Sequence, residues 1–334
     1  MNPLHHFSND EKQALFDALS QIKSHPYDSY NAFTDELDGI INSGKIPAFF
    51  HEICHKIKED RTTGKSSAHV LRNCPVDADI PELDQEDPFK DKLAKKKTFV
   101  GEAFLALFSK LTATPLLAYG NRFEGSFFAD VIAVNKYSGY DSQFGDTELA
   151  YHNDRSAHEV RADFVTLLGT RCPQNELIFT NYIDGKDILE FISPEYEAIL
   201  REAHYYTPFD IHSLTTMNVS ESIAHPIIEG DSLIRYRDSW TIYTKDAPEK
   251  AKEALIAFRY AMTRATKTHH RMQDGDLFSF GNQRGLHSRE HMEIVDKDTA
   301  RTRWLLKTYS FKDKETAEKF THRYKKEAFG CVDD

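Results

Sequence analysis

Polar and apolar positions along the first third of the chain recur with a helical period. Residues 8–24 open on Ser8 with Glu11 three positions later, the pattern of a capping box, and Leu15, Phe16, Leu19 and Ile22 fall on one stripe. This predicts a helix. A second is predicted over 46–59 and a third, buried one over 99–111, FVGEAFLALFSKL. Between them, 60–98 is charged and broken by Pro75, Pro81 and Pro88, which predicts irregular connection. Beyond residue 115 the texture changes. Short aromatic or β-branched runs at 126–135, 147–152, 163–170, 176–182, 232–237, 276–280 and 302–309, separated by turn residues, predict strands. Helices interrupt them at 194–203 and 246–266, and the second starts acidic and ends basic, as the helix dipole favours. Helices first and short strands after predict a mainly β protein with flanking helices. The expected layout is one domain over 1–334. It has a helical flank at 1–112, a β core at 115–312 with helical insertions, and a C-terminal helix or tail at 313–334.

Composition narrows the classes. In 334 residues, 12% aromatics with 23 Phe exclude a disordered chain. A mean hydropathy of -0.57 without a long apolar run excludes a membrane span. A formal charge of -11 argues against a nucleic-acid partner, which requires a basic face. Cys54, Cys74, Cys172 and Cys331 form no CxxC pair, so neither a zinc ribbon nor a disulfide framework is expected. The opening MNPLHHFSNDEKQ lacks the basic-then-apolar pattern of a signal peptide, and the chain reads as a reduced, cytoplasmic protein.

The strongest chemical signal is Tyr151-His152-Asn153-Asp154 at the end of a predicted strand. A His and a carboxylate two apart can turn toward one metal, and a third ligand can arrive from far along the chain. His287, after the strand-like 276–280, is the candidate. Two His and one carboxylate on one face leave metal positions open, which suits non-haem Fe(II). Arg303 follows His287 by sixteen residues, in a run that reads as a buried strand, and a buried guanidinium calls for a carboxylate partner. Arg301 falls on the same predicted strand face. A rival motif is His51-Glu52-Ile53-Cys54-His55, a literal HExxH. On a helix it would present His51 and His55 to zinc with Glu52 as the base of a peptidase. Its competing reading is an amphipathic helix burying Phe49, Phe50, Ile53 and Ile57.

Glu148–Asp154, Ala157–Leu168, Gly275–His287 and Arg303-Trp304-Leu305, in this order, resemble segments of the clavaminate synthase-like branch of the taurine dioxygenase superfamily. These are Fe(II)- and 2-oxoglutarate-dependent oxygenases. The resemblance spans residues 115–310 and implies a double-stranded β-helix, or jelly-roll, core. It implies that His152, Asp154 and His287 hold Fe(II). Arg303, with Arg301 as the fallback, would grip the 2-oxoglutarate C5 carboxylate, and Thr180 would offer it a hydroxyl. O2 would be the other co-substrate. The implied reaction is hydroxylation of an unactivated C–H of a small amino acid or derivative, with release of succinate and CO2; desaturation is the alternative within the class. Gln143, Arg235, Asp238 and Lys307 are the substrate-facing candidates, and an acid at Asp238 would suit an arginine- or lysine-like substrate. No catalytic residue beyond the metal centre is expected. Asn153 stands where the family usually has Thr, and the loop from His287 to Arg303 is about two residues longer than usual (a count set against the family's motif spacing). The segments 60–98 and 204–230 are expected to cover the site as lids.

Overall fold

The computed structural model describes residues 1–209, 222–290, 292–325 and 329–333. The N-terminal part is helical: α1 Asn9–Leu19, α2 Tyr30–Asn42, α3 Ala48–Thr62, α4 Pro88–Lys95 and α5 Val100–Leu111. The capping box of α1 is present, with Ser8 accepting from the Glu11 N–H and Glu11 accepting from the Ser8 N–H. Helix α2 was not predicted. Its buried residues Phe33, Leu37 and Ile40 form a thin stripe among polar neighbours, and Ser29 caps it.

Strands of four or more residues follow the chain as β1 Ala68–Arg72, β2 Leu116–Tyr119, β3 Ala129–Ile132, β4 Leu149–His152 and β5 Phe164–Arg171. They continue as β6 Leu177–Asp184, β7 Thr268–Arg271, β8 Leu277–Gly281, β9 Gly285–Arg289 and β10 Trp304–Ser310. The larger sheet runs β1-β8-β5-β10-β2, with β3 also on β10. The smaller runs β7-β6-β9-β4. Together these sheets, flanked by helices, form the expected jelly-roll core.

Period-two alternation assigns each strand residue to one of two cores. On β10, Trp304 and Leu306 pack with α1, α2, α3 and α5, while Leu305 and Tyr309 point between the sheets with Val165, Leu167, Phe278, Phe280 and Tyr182. The insertions Pro194–Leu200 (α6) and Glu249–Arg264 (α7) cover the outer face of the smaller sheet with a third cluster.

The structure corrects the reading of 60–98. The segment contains α4 and also β1, which pairs antiparallel with β8 (Val70 opposite Phe278). Five residues between polar and proline-rich stretches carry too short a pattern to declare a strand, and the partner lies about two hundred positions away. This segment is therefore part of the sheet and its helical backing. It is anchored by a buried charge cluster in which Lys96 meets Asp77 (2.9 Å) and Glu102. Of the other expected lid, 204–230, residues 210–221 lie outside the described residues. The run 232–237 forms only a two-residue strand, Leu233–Ile234. Among the described residues, no helix is long and apolar enough to cross a membrane.

Candidate metal centre

The ends of two neighbouring strands of the smaller sheet create the centre. β9 pairs antiparallel with β4 so that His287 lies opposite His152, and the two rings stand 4.3 Å apart. Asp154 follows β4 by two residues. Its carboxylate reaches both imidazoles, with Oδ1 3.4 Å from His152 Nε2 and Oδ2 3.8 Å from His287 Nε2. One donor atom from each of the three residues lies within 4.8 Å of the others, and among the described residues no other His, Cys or carboxylate group forms such a cluster.

Local hydrogen bonds aim these donors. His152 Nδ1 contacts the Ala150 carbonyl at 2.7 Å, which leaves Nε2 for the metal. Asn282 Oδ1 accepts the Asp154 N–H, and Asn282 Nδ2 donates to the Asp154 and Ala162 carbonyls. Asn153 Nδ2 donates to the carbonyls of Asn282 and Gly285, and its Oδ1 accepts the Tyr236 N–H. An amide side chain between the ligands thus ties their turn to the segment that delivers His287, which the hydroxyl of a Thr is too short to do. Burial, and after it the neighbouring His152, pulls His287 well below the usual histidine range, so its ring is neutral and its lone pair available. Burial opposes ionisation of Asp154, but Lys307 and the two imidazoles hold its carboxyl well below the usual range.

The candidates for 2-oxoglutarate separate cleanly. Arg303 is buried just before β10, and among the described residues its side chain makes no hydrogen bond or ion pair. Period two places it on the interior face with Leu305 and Lys307. Arg301 is not its strand neighbour. Asp296 caps a short helix, Lys297–Arg301 (α8), which absorbs the longer loop. Arg301 ends that helix bonded to Gln85 (2.8 Å), Asn135 (2.6 Å) and Asp146, so the fallback anchor is already occupied. Arg289, two residues past His287, stands close enough to feel the charge of Arg303. Burial and then Arg303 pull Arg289 down to about 10. Arg303, Arg289 and Arg301 line a small cavity of about 50 Å³ that shares Gln143 with the main chamber. Thr180 lies on β6 two residues before Tyr182, the cross-strand partner of His287, and so on the same face as that ligand.

The main chamber measures about 420 Å³ and reaches His152 and Asp154 between the aromatic walls of Tyr119, Phe144, Trp240 and Tyr309. Gln143 lines it. Lys307 joins it to the metal ligands, with Nζ 2.7 Å from Gln143 Oε1 and 3.0 Å from Asp154 Oδ2. Arg235 and Asp238 do not line it. Arg235 Nε donates to the Ser156 carbonyl and Nη1 lies 4.0 Å from Glu229. Asp238 accepts from the Tyr236 hydroxyl and the Ser239 N–H. The Asp238 N–H donates to the Tyr151 carbonyl on the ligand strand and the Arg235 N–H to the Ile227 carbonyl, while both side chains face elsewhere. Sequence reasoning missed Asn282, Arg289 and the cavity residues Asp141 and Tyr309. Only Asn282 carried a signal, its place five residues before His287. His51, Glu52 and His55 lie on the exposed side of α3, whose Phe50, Cys54 and Ile57 face the core, so the HExxH pattern is the solvent face of an amphipathic helix.

Comparison with known proteins places this arrangement. No family model matches the chain. L-asparagine oxygenase of Streptomyces coelicolor is 26% identical over 255 residues, which cover 76% of this chain and 73% of that protein. A solved asparagine oxygenase, in complex with Fe(II), 2S,3S-3-hydroxyasparagine and succinate, matches with a TM-score of 0.80 at 19% identity over 98% of both chains. The non-haem iron oxygenase OrfP, in complex with Fe, succinate and (3S)-hydroxy-L-Arg, matches with a TM-score of 0.79 at 17% identity, covering 99% of this chain and 100% of that one. The chain shares the fold of these proteins.

Proposed function

We propose that this chain is a non-haem Fe(II)- and 2-oxoglutarate-dependent oxygenase that hydroxylates an unactivated C–H of a free amino acid or close derivative, releasing succinate and CO2. The observation that carries the reading is a two-His, one-carboxylate cluster sharing one interior with a buried guanidinium that no described protein group pairs. A bare buried cation costs several kcal/mol, on the order of 3–5, unless an anion joins it, and a dicarboxylate bound at the metal supplies that anion.

His152, Asp154 and His287 hold the iron, and Arg303 takes the C5 carboxylate, with Thr180 beside it. Iron with bound 2-oxoglutarate and O2 supplies the oxidising power that removes the hydrogen. The protein contributes position. Asn153 and Asn282 fix the ligand turn, and Arg303 sets the direction of the co-substrate. The aromatic walls limit water around the reacting carbon. Lys307, beside Asp154 and Gln143, is placed to meet a substrate carboxylate. Besides the ligand Asp154, the acid that lines the chamber is Asp141; its Oδ2 lies 3.5 Å from Arg237 while its Oδ1 is buried without a hydrogen-bond partner, and it takes over from Asp238 as the group suited to a cationic side chain. The names of the relatives, an L-asparagine oxygenase and an enzyme crystallised with hydroxylated arginine, support the amino-acid class.

The test is succinate release from 2-oxoglutarate by anaerobically Fe(II)-loaded protein, screened against free amino acids. One amino acid should stimulate release, and His152→Ala should lower it by about 100-fold or more, the scale of losing a metal ligand. If neither Fe(II) nor 2-oxoglutarate binds the wild-type chain, the reading fails.

A further inference from the structure

Segment 138–147 carries Asp141, Ser142, Gln143 and Phe144 into the chamber wall and is gripped by two arginines that the resting centre does not otherwise use. Arg289, on the strand of ligand His287, donates to three of its carbonyls: Ser142 at 3.1 Å, Gly145 at 3.0 Å and Thr147 at 2.7 Å. Arg301, two residues before the Arg303 anchor, pairs with Asp146, a carboxylate only 7% exposed. Asp146 in turn accepts from the Gly139 N–H (2.8 Å) and the Ser138 hydroxyl (2.7 Å), closing the segment on itself. Gly145 leaves no slack, since a Cβ there would stand 2.1 Å from the Tyr140 carbonyl oxygen. Between the two grips, Gln143 holds the Lys307 amine that also touches the ligand carboxylate.

We infer that the Asp146–Arg301 pair, together with Arg289, is a latch that fixes segment 138–147 so that Gln143 and Lys307 set affinity for the primary substrate separately from affinity for 2-oxoglutarate. The inference rests on the oxygenase reading above. Arg301 and Arg289 are positioning residues. Three carbonyls satisfy the Arg289 guanidinium, and Asp146, Gln85 and Asn135 satisfy that of Arg301, so neither needs a ligand to complete it.

Two independent disruptions test it in the full chain: Asp146→Asn, which removes the ionic grip, and Gly145→Ala, which wedges the segment without touching a charge. Hydrogen–deuterium exchange is followed across 138–147, with 149–152 and 285–289 as internal references. Steady-state KM is measured for 2-oxoglutarate and for the L-amino acid that releases the most succinate. The expected result is at least ten-fold faster exchange confined to 138–147 in both variants. The amino-acid KM should rise at least ten-fold, the 2-oxoglutarate KM should stay within two-fold, and more 2-oxoglutarate should be consumed per hydroxylated product. Unchanged exchange, or the two KM values rising together, overturns the latch. A wild-type chain that binds neither Fe(II) nor 2-oxoglutarate overturns the oxygenase reading instead, and the exchange data then stand apart from it.

Discussion

At the scale of single residues, an unpaired guanidinium is the most informative feature. Arg303 is buried with no acceptor among the described residues, and burial depresses its pKa. Under the proposed function, replacing it by Met removes the group that would receive the C5 carboxylate while filling similar space. The expected outcome is a rise of about 100-fold in the KM for 2-oxoglutarate with little loss of thermal stability, read from succinate kinetics and thermal melts; truncating one partner of a buried charged pair typically costs 2–5 kcal/mol. His225 shows the opposite economy. Burial, reinforced by Arg235, pulls its pKa down to about 3, so it is neutral in the fold and takes a proton only on unfolding. A depressed histidine gives stability that is fully present above the unfolded value near 6.5 and is lost as pH falls toward the folded one. Unfolding free energy should therefore drop by about 2 kcal/mol between pH 7 and pH 5 from this residue. Urea titrations across that range should show a shallower slope in His225→Asn. An equal slope would mean that His225 is charged in the fold.

Among elements, the centre depends on how one turn is tied to one strand. Asn153 spans from the turn after β4 to the carbonyls of Asn282 and Gly285 at the entry to β9, and Asn282 returns the connection through the Asp154 backbone. Removing these bonds leaves all three ligands present and lets their spacing relax. Asn153→Ala should weaken Fe(II) binding by about 10–100-fold, the range found when groups supporting metal ligands are lost. Competitive chelation measures it, and Asn153→Thr should recover only part of the affinity, because a hydroxyl cannot reach both carbonyls.

For the molecule as a whole, the helical flank and the sheet are joined by buried charge as well as by apolar packing. Lys96 is fully buried between Asp77 and Glu102, Tyr27 donates to Glu102, and Lys92 with the Trp304 indole meets Asp130 on β3. Lys96→Met leaves Asp77 a buried carboxylate without its cation and should cost about 3–5 kcal/mol in chemical unfolding. Burial pushes the Glu102 carboxyl up, so Glu102→Gln should cost clearly less. Equal losses would show that the cluster acts only through packing.

The chain itself determined the chemistry of the centre, because ligand identity is local. His152 and Asp154 sit two apart at a strand end, and His287 and Arg303 lie in short segments whose residue types fit the proposed metal and co-substrate. It likewise determined the helices with broad apolar stripes and most of the longer strands, since alternation between two cores is written into each of them. Tertiary structure decided the rest. β1 has five residues, four of them buried, whose pairing with β8 comes from about two hundred positions away, and the run after Asp296 winds into a helix that ends with Arg301 paired to Asp146. Asp238 supports the ligand strand through its backbone and Arg235 bonds the Ile227 and Ser156 carbonyls, and no local pattern reveals where their side chains point. Which arginine stays bare and which is satisfied depends on acceptors brought in from Gln85, Asn135 and the 142–147 carbonyls. A sequence records which groups can bond, and only the packed chain settles which of them have already done so.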